Sequence, residues 1–112
     1  MRIWIALALL AGCKVSSTDW KREMETQVPD AFCEADQYFR QCFDVDEATC
    51  RKTVADLLGP CFAKIKLPET MADGDGEKYG RMVGECAGSG YDDKLGSKRN
   101  KNPKCLDPKN WE

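Results

Sequence analysis

Six cysteines spread from position 33 to position 105 place the strongest constraint on what this chain can fold into. Cys33, Cys42, Cys50, Cys61, Cys86 and Cys105 stand 9, 8, 11, 25 and 19 residues apart. Thiolate metal sites need tight pairs such as C-x₂-C, and none occurs among them. The chain has 112 residues and no histidine. The commonest metal ligand and usual neutral-pH acid/base group is therefore missing, which excludes Ser-His-Asp and Cys-His pairs and His-built zinc sites. Neither a metal nor a cofactor is expected, and one small domain is the most this length holds.

The N-terminus decides how those cysteines are read. Met1-Arg2 precedes an unbroken apolar run from Ile3 to Leu10, and polar residues begin only at Lys14. At about 1.5 Å per residue the run is too short for a ~30 Å hydrocarbon core, but its length suits the apolar region of a secretory signal. The run ends in Leu10-Ala11-Gly12-Cys13, which resembles the lipobox of bacterial lipoproteins. In that family the Cys is diacylated on sulfur, the signal is cleaved just before it, and the freed amine is acylated too. The resemblance implies a signal peptide over residues 1–12 and lipidation at Cys13, and says nothing of the fold beyond; the residues that follow read as a polar tether through residue 18 and a folded domain over 19–112. Several acyl chains anchor durably, since each buried CH₂ contributes about 0.8 kcal/mol. Under the enteric sorting rule Lys14, where Asp would retain the protein in the inner membrane, implies the outer membrane on its periplasmic face.

With Cys13 assigned to lipid, six cysteines remain. An even number in an exported chain of this size reads as a framework of three disulfides. Between them the periodicity is helical. Trp20 and Met24 suggest a helix over residues 19–27, and a second spans Asp30 to Phe43, with Pro29 suited to its first turn. A third opens at Asp46, carries Cys50, Val54, Leu57, Leu58 and Cys61 on one stripe, and ends at Gly59-Pro60. The two longer helices predict an antiparallel hairpin with Cys42–Cys50 as inner pair and Cys33–Cys61 as outer pair. Cys33 and Cys42 point about 180° apart at 100° per residue, so Cys33 reaching Cys86 or Cys105 is the alternative. A further helix is expected only from about Gly76 to Ala87, because each interior glycine costs about 0.8–1 kcal/mol. The tail from Gly88 to Glu112 reads as loop stapled by Cys105. The predicted fold is a mainly α, disulfide-stapled helical hairpin or bundle with a loop-rich C-terminal tail.

Candidate chemistry is sparse. Asp73-Gly74-Asp75-Gly76-Glu77 alternates carboxylates as a cation loop would, but an EF-hand needs Gly and Glu where Lys78 and Gly84 stand. Glycoside cleavage needs two carboxylates about 5–10 Å apart across a cleft; with nine acids between Asp19 and Glu47, some pair meets that distance by chance. No catalytic residue is singled out, and an enzyme is not expected.

The charge is segregated. Residues 19–47 carry a net charge of -6, whereas residues 94–109 carry +5 within a chain of net -2. The overall balance argues against nucleic acid as partner. Opposed patches steer and register a protein partner, and Lys94, Lys98, Arg99, Lys101 and Lys104 are the predicted contact residues, flanked by Tyr91 and Trp111 as aromatic anchors. The alternative contact is the acidic face around Glu34, Asp36, Asp44 and Asp46. Phe32, Tyr38, Phe39, Phe43 and Phe62 read as core. The expected function is a non-catalytic, protein-binding envelope lipoprotein of the inhibitor or immunity kind, or an assembly factor for an outer-membrane complex. The rival is a small cation-binding protein or carboxylate-dependent hydrolase.

Overall fold

A computed structural model describes residues 15–111. The expected signal segment 1–12, the expected lipidation site Cys13 and the expected sorting residue Lys14 lie outside the described residues. Strand β1 (Val15–Ser16) leads directly into helix α1 (Ser17–Cys33), so most of the expected tether is ordered. A short helix α2 (Tyr38–Gln41), helix α3 (Glu47–Lys64), strand β2 (Thr70–Met71) and helix α4 (Asp75–Leu95) follow. Three 3-10 turns, at Gly96–Lys98, Pro103–Leu106 and Pro108–Trp111, complete the chain. Among the described residues no helix is long and apolar enough to cross a membrane.

Helix α1 starts where the Ser16 hydroxyl accepts from the Asp19 N–H at 3.1 Å, which satisfies one orphan donor of the first turn. Trp20, Met24 and Val28 follow at four-residue steps, with Cys33 beyond them, and all four are buried. The helix continues across Pro29, so the two expected helices, 19–27 and 30–43, are replaced by one helix ending at Cys33 and the single turn of α2. An interior proline costs about 3 kcal/mol, but the buried stripe continues across it, and each large side chain buried contributes about 1.5–3 kcal/mol. Arg40 caps the end: its Nη1 donates to the Cys33 carbonyl at 2.9 Å.

In α3 the Asp46 carboxylate accepts from the Thr49 N–H at 2.7 Å. Thr49, mainly through its side-chain hydrogen bond, holds the Asp46 carboxyl below the usual range. The expected stop at Gly59-Pro60 does not occur. Leu58, Cys61 and Ile65 are buried, and their packing carries the helix on to Lys64. Helices α1 and α3 are antiparallel: Cys33 meets Cys50 at one end, and Trp20 meets Phe62 edge-on at 6.2 Å at the other.

Helix α4 follows Gly74, whose φ of 86° lies in the left-handed region that glycine adopts without strain. It continues to Leu95, well past the expected end near Ala87, because Val83, Ala87 and Tyr91 form a fully buried stripe at four-residue spacing. It packs antiparallel on α3, where Leu57 comes so close to Gly90 that a Cβ there would lie 2.6 Å from Leu57 Cδ2. The antiparallel pairing of β1 with β2, Val15 with Met71 and Ser16 with Thr70, closes the end of the bundle near Trp20. The opposite pole holds α2, the end of α4 and the C-terminal turns.

The three bridges are Cys33–Cys50, Cys42–Cys105 and Cys61–Cys86, with Cα separations of 5.9, 5.5 and 5.8 Å. The expected pairs Cys42–Cys50 and Cys33–Cys61 are not formed, and Cys33 reaches neither Cys86 nor Cys105. Last turn does meet first turn across the hairpin. The first helix ends at Cys33, however, so Cys33 takes the place expected for Cys42.

Candidate functional site

The C-terminal pole is built on an aromatic floor. Phe32 and Phe39 stack with centroids 4.3 Å apart, Tyr91 meets Phe39 at 4.9 Å and Phe43 at 5.0 Å, and Tyr38 meets Phe43 at 5.7 Å. Tyr91 is fully buried, its hydroxyl donating to the Phe39 carbonyl at 3.0 Å. Burial pushes its phenol up to about 12. Burial also raises the Tyr38 phenol, and the Asp92 charge adds to that. The expectation that Tyr91 serves as an exposed anchor is thus overturned: helix α4 carries it inward.

Over this floor the tail is fixed residue by residue. Asp44 N–H donates to the Lys98 carbonyl at 2.8 Å, and Asn100 N–H to the Cys42 carbonyl at 2.9 Å, with Phe43 opposite Arg99 in an antiparallel bridge. Asn100 Nδ2 donates to the Gln41 carbonyl at 2.7 Å, and Cys105 is bonded to Cys42. The Asn102 side chain accepts from Lys104 N–H at 3.0 Å. Trp111 donates its indole N–H to the Lys104 carbonyl at 3.0 Å and meets Tyr38 at 6.0 Å. The expected loop is therefore an ordered cap on the bundle.

The five predicted contact cations divide in two. Arg99 pairs with Asp92, and its guanidinium lies 5.4 Å from the Phe43 ring centroid; it locks the tail to the body. Lys94, Lys98, Lys101 and Lys104 are exposed. Lys94 lies near enough to α3 that its charge helps Lys52, the main cause, to lower the Asp56 carboxyl. The Lys104 ammonium sits 4.1 Å from the centroid of Trp111. Sequence reasoning missed two neighbours of this group: Lys109, exposed in the last turn, and Leu106, 66 % exposed beside buried Cys105. A lone Leu in a polar tail carries no periodicity, so nothing local marks it as outward-facing.

Of the alternative acidic face, Asp46 is committed as the cap of α3, whereas Glu34, Asp36 and Asp44 are exposed. Nearby, Asp30 and Glu47 pair with Arg51. In the Asp73–Glu77 run, Asp75 accepts from the Ala72 N–H at 2.8 Å and Glu77 pairs with Arg81 at 3.4 Å, which places these carboxylates at the positive end of α4. Among the described residues no group of three or more Cys, Asp or Glu is arranged to hold a metal ion.

No curated protein and no solved structure matches the chain. Residues 14–99 match the family model described as T2SS substrate NttA, where T2SS is the type II secretion system. The match runs from the residue before β1 through all the helices to Arg99, the residue that ties the tail to Phe43. The chain belongs to the family described as T2SS substrate NttA.

Proposed function

We propose that this chain is an exported, non-catalytic binding protein, delivered as a substrate of a type II secretion system, whose ordered basic C-terminal pole is its contact surface for a negatively charged partner. The observation that carries the reading is the investment of structure in that tail. A bridge to Cys105, a backbone ladder from residue 98 to residue 100 and a cation–π-stacked Trp111 order a segment whose outward side chains are mostly lysine. Fixing each backbone residue costs about 1–2 kcal/mol, and this segment has little apolar surface to offset that. Three disulfides support folding outside the reducing cytoplasm, and the family description supports export.

Under the same proposal Cys13 carries lipid and anchors the protein to the outer membrane, on its outer leaflet once the secretion system has carried it across, in place of the periplasmic face expected from Lys14. Because β1 begins at Val15, the anchor attaches to the β1–β2 pole, and the 21 residues of α4 set the basic pole about 30 Å away at 1.5 Å per residue. Cell fractionation with a palmitate analogue tests this in a host with and without a working type II secretion system. Label on the wild-type chain and none on Cys13→Ser, with export lost when secretion is disabled, is the expected result. Equal labelling of both chains overturns the anchor, and unchanged export without the machinery overturns the secretion route.

A further inference from the structure

We infer that the surface met by the C-terminal pole is an anionic lipid bilayer other than the one that holds the Cys13 anchor, which attaches at the opposite pole about 30 Å away; this rests on the reading of that pole as a contact face. Side-chain chemistry separates a bilayer from an acidic protein. Protein interfaces are enriched in Arg and depleted in Lys, and the one arginine of the tail, Arg99, is committed to Asp92 and Phe43. What faces outward is Lys94, Lys98, Lys101, Lys104 and Lys109. A cluster of four to eight basic residues answers to the diffuse negative potential of anionic headgroups, which needs no fixed acceptor geometry. Within the segment 94–109 the single acid, Asp107, accepts from the Lys109 N–H at 3.0 Å; exposed Asp44, whose N–H donates to the Lys98 carbonyl, and exposed Asp93 border the lysines.

Leu106 adds the apolar component. It is 66 % exposed, stands between Lys104 and Lys109 in sequence, and is held outward because the neighbouring Cys105 is buried and bridged to Cys42. An apolar side chain among cations suits the headgroup–acyl boundary, where the apolar group enters and the ammonium groups remain at the headgroups. Trp111, half-buried with its N–H already satisfied by Lys104, belongs to the residue type that concentrates at that boundary. Rigid placement matters because the surface potential decays within a Debye length of about 8 Å at physiological salt.

Vesicle sedimentation of the full exported Cys13→Ser chain, which has no thiol for lipid attachment, tests the inference against phosphatidylcholine vesicles with and without phosphatidylglycerol. Retention on a polyglutamate resin runs in parallel. The expected result is binding to the phosphatidylglycerol vesicles alone, reversed by salt. It should weaken about tenfold or more in Lys98→Glu/Lys101→Glu/Lys109→Glu, and severalfold in Leu106→Ser, with resin retention of Leu106→Ser unchanged. These positions are exposed, so unchanged thermal midpoints confirm folded variants. Resin retention without vesicle binding overturns the lipid partner, leaves the basic face standing and turns it toward an acidic protein. Loss of both overturns the face as well.

Discussion

Arg99 pairs with Asp92 across the turn that ends α4, and the same guanidinium lies over the Phe43 ring, so one side chain joins the last helix, the segment after α2 and the tail. Its neighbours Lys98 and Lys101 are exposed. The six-cation tail thus contains one structural cation and a set of outward ones.

Arg99→Ala should lower stability by about 1–2 kcal/mol, from an ion pair at about 0.2–1 and a cation–π contact at about 0.5–1 kcal/mol. Lys98→Ala should change it by less than about 0.5 kcal/mol. Urea unfolding of the two variants checks this, and equal midpoints would remove Arg99 from its locking role.

The bridges give a second expectation. Peptide mapping of the unreduced protein should recover Cys33–Cys50, Cys42–Cys105 and Cys61–Cys86 and none of the other pairings. Cys42–Cys105 spans 63 residues and Cys33–Cys50 spans 17. In the chain-entropy treatment, taken alone, these contribute about 4 and about 3 kcal/mol. Removing Cys42–Cys105 by a double Ser substitution should make residues 98–111 protease-sensitive while the bundle keeps its helical signal.

Tyr91 supplies an alkaline signature. Its folded pKa, about 12, lies above the unfolded value of about 10, so the folded state retains its proton longer. That stability is fully present below pH 10 and is lost as pH climbs from about 10 through 12. Spectrophotometric titration should show a late phase from Tyr91 in addition to the raised Tyr38 phenol. Tyr91→Phe should remove that late phase and lower stability by about 0.5–1.5 kcal/mol through the lost bond to Phe39.

Two glycines of the α4 region should respond in opposite directions. Gly84 sits mid-helix with nothing within 4 Å of the place a methyl group would take, whereas Gly74 has φ of 86°. Gly84→Ala should stabilise by about 0.8–1 kcal/mol, and Gly74→Ala should destabilise by about 1 kcal/mol or more. Thermal unfolding of the pair decides.

The helical class, the hairpin, the Asp46 cap and the three-bridge framework were legible because each rests on local periodicity or on cysteine parity. Boundaries were not. Pro29 and Gly59-Pro60 are strong local stop signals, and both lie inside helices because buried stripes, Trp20 to Cys33 and Val54 to Ile65, continue across them. Misplacing the end of the first helix moved the bridge from Cys33 to Cys42. The glycines of α4 hid its last two turns in the same way, since the reason for Gly90 is the approach of Leu57 from a distant segment. In the tail the charge excess was readable from composition. The bridge between Phe43 and Arg99 joins positions 56 residues apart, and no local pattern encodes it.

Whether the basic pole acts as a contact surface is measured most directly by retention of the disulfide-intact protein on a polyglutamate column at neutral pH. The chain carries a net charge of -2, so an evenly charged surface would pass through. The expected result is salt-dependent retention of the wild type and passage of Lys98→Glu/Lys101→Glu/Lys109→Glu with an unchanged thermal midpoint. Wild-type passage, or equal retention of the triple variant, would contradict a contact role for this pole.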